Sequence, residues 1–189
     1  MSYYEVLVFL HISGAVVWVG GGLMLLIMGM RFDRVRDEAS LKGLFEQSNW
    51  FSTRVLIPVS LFVLAVGILA VVEGPWGFDQ LWVLLGLAGF AATFLTGLLL
   101  IKPEAEGIGA TIAREGGMSA ASLAGMRRMF LKMRLDYAVF FVVVADMVLK
   151  PTADDVGTLV LMAVVLAIVA GLVVRGLREP SATAAKEAA

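Results

Sequence analysis

The chain of 189 residues contains no cysteine and one histidine, His11. The absence of cysteine excludes disulfides, thiolate metal sites and a thiol nucleophile. One histidine excludes a histidine-rich metal cage, a zinc-protease pair and a two-histidine haem clamp within one chain. Charge is also scarce. Asp, Glu, Lys and Arg make up 16% of the residues, against about a quarter in a soluble globular domain. No Gly-x-Ser-x-Gly elbow occurs, and no glycine cluster follows a strand pattern, so neither a hydrolase nucleophile nor a phosphate loop is indicated.

What is there instead is apolar surface. Hydrophobic residues make up 60% and mean hydropathy is +0.90. About 20 mainly apolar residues cross a hydrocarbon core. Residues 6–30, 55–72, 81–101 and 156–174 meet that length or approach it. A shorter run, 135–149, holds Asp136 and Asp146; its flanks Arg134 and Lys150 can snorkel to the two surfaces. The first run has no basic leader, because no Lys or Arg precedes Arg31, so it reads as a retained span rather than a cleaved signal. The expected architecture is all-α. It is one polytopic membrane-helix bundle of about five transmembrane helices over residues 1–178, followed by a flexible cytoplasmic tail, 179–189.

The cations set the expected orientation. Arg31, Arg34, Arg36, Lys42 and Arg54 follow the first run; Lys102, Arg114, Arg127, Arg128, Lys132 and Arg134 follow the third; Arg175, Arg178 and Lys186 follow the last. Lys150 alone falls on the opposite side. The positive-inside bias places the N-terminus outside and the C-terminus in the cytoplasm of a bacterial inner membrane, and it requires an odd number of spans. The alternative is four spans, with the short run lying in the interface. Trp76 and Trp82 suit the outer interface and Trp50 the inner one. The stretch SAASLAGMRRMFLKMR has helical spacing of Leu and Met with cations. It predicts either a surface amphipathic helix or a cytoplasmic extension of the fourth span.

Lipid supplies no hydrophobic drive for helix association, so small residues should mark the contacts. Gly14, Gly20, Gly21 and Gly22 lie in the first span, Gly89, Thr93 and Gly97 in the third, and Ala163, Ala167 and Gly171 in the fifth. The same faces could pair two copies of the chain. The bilayer is the partner otherwise expected; the basic loops read as topology signals and imply no nucleic acid.

Ionisable groups inside spans are the natural site candidates. His11 lies five residues into the first run, at about 8 Å of helical rise, and Asp146 lies four residues before Lys150, at about 6 Å. His11, Asp146 and Lys150, with Met147 and Glu73 at comparable depth, could meet near the outer face. There Asp146 could orient the imidazole or pair with Lys150. The bland alternative is a helix-bonded histidine and an interfacial ion pair. Arg134 and Asp136 read as anchors and an ion pair at the inner mouth. The ten methionines invite a Cu(I) reading, but most occupy positions where Met fills a core.

Two stretches carry a resemblance. YEVLVFLHISGAVVWVGGGLMLLIMGMRF contains His11, Trp18, Gly20 and Gly21; MRLDYAVFFVVVADMVLKPT ends in Lys150, Pro151 and Thr152. Together they resemble a bacterial family of predicted integral membrane proteins of unknown function. That family is distantly similar to the copper-resistance D membrane domain and to HemJ-type protoporphyrinogen oxidases. The resemblance implies haem b with His11 as axial ligand, near Asp146, Met147 and Lys150. This chain has Leu135-Asp136-Tyr137 where those enzymes carry Asn-Glu-Pro. Three functions stand open: a haem or redox-cofactor protein, a permease or copper-uptake component, and a scaffold or accessory subunit.

Overall fold

A computed structural model describes residues 2–31 and 38–178. Arg34, Arg36 and the expected tail 179–189 lie outside the described residues, which are helical throughout apart from short turns. They form five rods. The first is α1 (Tyr3–Arg31). The second runs from α2 (Glu38–Phe51) into α3 (Ile57–Glu73), and the third from α4 (Leu81–Thr96) into α5 (Lys102–Glu115). The last two are α6 (Ala120–Leu149) and α7 (Val156–Arg178).

Four rods are long and apolar enough to cross a membrane by themselves: Tyr3–Met30, Ala39–Glu73, Leu81–Glu115 and Val156–Arg178. The fifth, α6, is not among them. It nevertheless runs through the same thickness, antiparallel to both α1 and α4. Phe130 lies against Gly29 at one end, Tyr137 against Gly22, Val143 against Gly89, and Met147 against Gly86 near the other. From Phe130 to Lys150 an α-helix rises about 30 Å, the thickness of a hydrocarbon core. Tyr3 and Arg178 therefore lie at opposite ends of the bundle.

The expected spans and the observed helices agree at one end and differ at the other. At the end holding residues 73–82 and 150–156, helices stop where polarity and turn residues coincide. Gly74 and Pro75 follow α3, and Lys150 and Pro151 follow α6. At the other end the second, third and fourth rods continue well beyond the apolar runs. Hydropathy falls at the membrane edge, but backbone hydrogen bonding has no reason to stop there without a breaker. The long stretch after the third run is thus a helical hairpin. Gly116 at φ 74° ends α5 in the left-handed region that favours glycine, and Ser119 with Ser122 caps α6. Of the two readings of SAASLAGMRRMFLKMR, the extension of the fourth span is the observed one.

These extensions build a cap. Leu41 and Phe45 of α2, Ile108 and Ile112 of α5, and Met126 and Met129 of α6 form one buried apolar cluster. Facing water, burial of each such side chain contributes roughly 1.5–3 kcal/mol, a drive that lipid-facing helices lack. Glu104 of α5 reaches across to Lys132 and Arg128, one turn apart on α6. Met126 and Met129 are core here, as the apolar reading of the methionines expected.

Small residues mark contacts in parts of two of the three rows; Gly20 and Gly97 face open space. Gly14 meets Val63 and Phe62, Gly21 meets Leu56 and Phe51, and Gly22 is covered by the Tyr137 ring and hydroxyl, so α1 is gripped between α3 and α6. Gly89 takes Val143 of α6, while Thr93 is buried with its hydroxyl donating to the Gly89 and Phe90 carbonyls. The α7 row differs: Ala163, Ala167 and Gly171 are exposed, and Gly171 has open space beside it. α7 packs on α6 through other residues, with Met162 and Val173 buried and Gly176 against Leu131.

Candidate functional site

The second and third rods share an irregularity. Each widens into a single π-helical segment, Ser52–Leu56 and Gly97–Ile101, and each segment is followed two residues later by a proline, Pro58 and Pro103. Proline has no N–H to donate to the preceding turn, and its ring crowds that turn's carbonyl; a widened turn relieves both. Such turns favour functional positions. Here both line one cavity.

The cavity has a volume of about 200 Å³ and lies between α1, the two kinked rods and α6. Its walls include Ser48, Asn49, Ser52, Thr53 and Ser60 from the second rod, and Asp136 from α6. Apolar walls come from Trp18, Leu56 and Phe140, among others. Trp18 stacks edge-on against Phe140 at 4.5 Å and lies 5.4 Å from Phe90, closing the side toward the middle of the bundle. Asp136 is 8% exposed and faces the Thr96 hydroxyl, which donates toward it from α4. Lys102 stands at the rim, with its side chain largely in solvent beside Glu106. Asp136 is therefore the one deeply placed charged side chain among the lining residues.

This placement corrects one expectation. Arg134 and Asp136 do not form an anchor pair: Arg134 is exposed, and Asp136 turns into the bundle. Two positions apart on a helix, their side chains point about 200° apart, which favours opposite environments. Thr96 and Ser60 went unnoticed in the sequence. The available signal was a proline near the inner end of two apolar runs.

The expected outer grouping separates in the structure. His11 turns to α3. Its Nδ1 lies 2.9 Å from the Val63 carbonyl, with Gly67 leaving room for the ring. A carbonyl only accepts, so Nδ1 carries the proton and Nε2 keeps the lone pair. Asp146 turns to α4 beside Gly86 and is 2% exposed, with neither carboxyl oxygen hydrogen-bonded. It therefore orients no imidazole and pairs with no ammonium. Met147 places its methyl against Gly86, and Glu73 is exposed.

Lys150 occupies a separate structure. It ends α6 at φ 47°, the only non-glycine residue with positive φ among those described, and the buried Pro151 follows. Its ammonium lies 4.2 Å from the Trp76 ring centre and 5.4 Å from that of Trp82. The two indoles meet edge to face at 5.2 Å; Trp76 donates to the Tyr4 hydroxyl and Trp82 to Gln80. The Lys-Pro pair is thus a helix stop whose cation is held by aromatic faces.

No group of three or more His, Cys, Asp or Glu side chains able to hold a metal occurs among the described residues. No curated protein and no solved structure matches the chain. A family model described as predicted integral membrane protein, DUF2269, matches residues 5–151, which takes in α1, both kinked rods and all of α6. The apolar rods, the bundle they form and this match agree: the chain is an integral membrane protein and belongs to the DUF2269 family.

Proposed function

We propose that this chain is a multi-pass protein of a bacterial cytoplasmic membrane, N-terminus outside, whose cytoplasmic-half cavity binds a small polar ligand at Asp136 as a permease-type site. One observation carries the reading. A nearly buried carboxyl stands in the wall of a hydroxyl-lined cavity, at the level where two spans are opened by proline-linked π turns. An ionisable group within a span is costly unless it serves a cavity or path. A carboxyl set among hydroxyls and an amide suits an amine or another cationic solute of modest size, since the volume is below the roughly 300–1,000 Å³ of drug-sized pockets. The basic residues at this end of the bundle support the orientation.

The chain's freedom from cysteine makes the test clean. Ser48→Cys and Ser52→Cys variants in inverted vesicles are expected to react with a membrane-impermeant thiol reagent, and the same variants in intact cells are not. Small amines are expected to raise the melting temperature of the purified protein, and Asp136→Asn to abolish that rise. Labelling from the outside only would overturn the orientation. A rise that persists in Asp136→Asn would overturn the site.

A second reading rests on His11. With Nδ1 donating to Val63, Nε2 is free to act as a ligand, and metal-bound histidines are commonly held this way. His11 would then hold a haem through Nε2, and the haem would supply redox chemistry when bound. A Soret band in purified protein that His11→Ala removes supports this reading; no band after expression with ample haem overturns it.

A further inference from the structure

Asp146 is not used by the cavity at Asp136. It lies ten residues further along α6, one turn before Lys150 at the other end of the bundle. It is 2% exposed, and both its oxygens lack a hydrogen-bond partner. A carboxylate ion in that state has neither water nor a donor to stabilise it, and burying a bare charge costs far more than burying a neutral acid.

The surroundings supply no counter-charge. α4, which packs against it at Gly86, has no titratable residue along its length. α7 has none between Val156 and Val174. On α1, His11 is committed to the Val63 carbonyl of α3. On α6 itself, Asp136 faces Thr96 in the cavity, and Lys150, one turn beyond, is drawn over the indoles. Glu73, Asp79, Asp154 and Asp155 are exposed in or beside the connecting turns.

We infer that Asp146 is a proton-binding site: its carboxyl is held as the neutral acid within the α4–α6 seam, at the end of the bundle that carries Lys150. The ligand is a proton rather than a metal cation, because no group of three or more His, Cys, Asp or Glu side chains gathers among the described residues to complete a coordination shell. The Met147 methyl fills the space beside Gly86, and its flexible end is the part of the seam that can move aside for a carboxyl reagent.

The test uses the full chain in proteoliposomes with dicyclohexylcarbodiimide, an apolar reagent that modifies protonated carboxyls, and mass spectrometry to locate the adduct. The expected result is an adduct on Asp146 at neutral pH that falls several-fold as the pH is raised. It is retained in Asp146→Glu and lost in Asp146→Asn. Lys150→Gln is expected to leave labelling unchanged, since the ammonium is not the carboxyl's partner. Three results would overturn the inference: no Asp146 adduct in folded protein across the pH range, labelling that appears only once Lys150 is replaced, and labelling abolished by sodium at constant pH. The first counts once the infrared difference between the wild type and Asp146→Asn also lacks a carboxylic-acid C=O band, which means the carboxyl is ionised; the second means that Lys150 neutralises it, the third that a metal cation occupies it. Adducts on Asp136 lie on a separate fragment and do not enter the reading.

Discussion

Asp136 and Asp146 stand on one helix, ten residues apart, and both are buried against α4. Their settings differ in every other respect. Asp136 has a hydroxyl donor, a hydroxyl-lined cavity and two widened turns around it. Asp146 has a glycine, a methionine methyl and no donor. Burial alone thus says little about what a carboxyl in a membrane helix does. The supply of polar partners separates a group poised to meet a ligand from one kept neutral.

The comparison can be broken most severely at the glycines that set the two levels. Gly22→Leu is expected to displace Tyr137, next to Asp136, at a cost of about 3 kcal/mol, because a rigid ring in a packed seam cannot give way. The same test at the Asp146 level, Gly86→Ala, should cost under about 1 kcal/mol, since a flexible methionine end can move aside. Detergent melting curves of the two variants measure the difference.

The carboxyls themselves should respond with opposite signs. Asp136→Leu removes a hydrogen-bonded group and is expected to destabilise by roughly 1–2 kcal/mol. Asp146→Leu removes an unpartnered buried group and is expected to be neutral or to stabilise by up to about 2 kcal/mol. Equal destabilisation by both in denaturant titrations would erase the distinction.

The Lys150–tryptophan cluster gives a smaller effect. Lys150→Gln forfeits a cation–π contact of about 0.5–1 kcal/mol, and indole fluorescence at Trp76 and Trp82 should shift with it. The smallest effect is at the exposed Asp155, a reference for both buried acids. Two hydrogen bonds from Thr152, backbone and side chain, hold its carboxyl below the ordinary 3.8. A depressed value stabilises the fold above the ordinary range, and that gain is lost as pH falls through the folded value. Thr152→Val should raise the Asp155 titration back toward its ordinary value and slightly weaken the acid limb of the stability profile.

Much of the fold was legible in the sequence. Hydropathy located the four strong spans, and the Lys150–Pro151 and Gly74–Pro75 pairs marked where helices stop. The helix ends on the basic side were not legible as apolar runs, because helix propagation follows backbone hydrogen bonds rather than side-chain hydropathy. Of the candidate site, His11 and Asp146 were identifiable as costly intramembrane groups, but their convergence was not to be had from depth alone. Depth is one coordinate of three. The rotation of α1 carries His11 to α3, and the rotation of α6 carries Asp146 to α4.

What the sequence by itself determined is additive along the chain: apolar length, the bias of cations toward one end, and the residues that break helices. Each depends on a residue and its immediate neighbours, so it survives without knowledge of packing. What only the tertiary structure decided is which way each helix turns. Contacts such as Gly22 with Tyr137 and Gly86 with Met147 set those rotations, and they placed Asp136 in a cavity and left Asp146 without a partner. Side-chain direction repeats every 3.6 residues, so a packing shift of one residue, about 100°, would turn both carboxyls toward other neighbours.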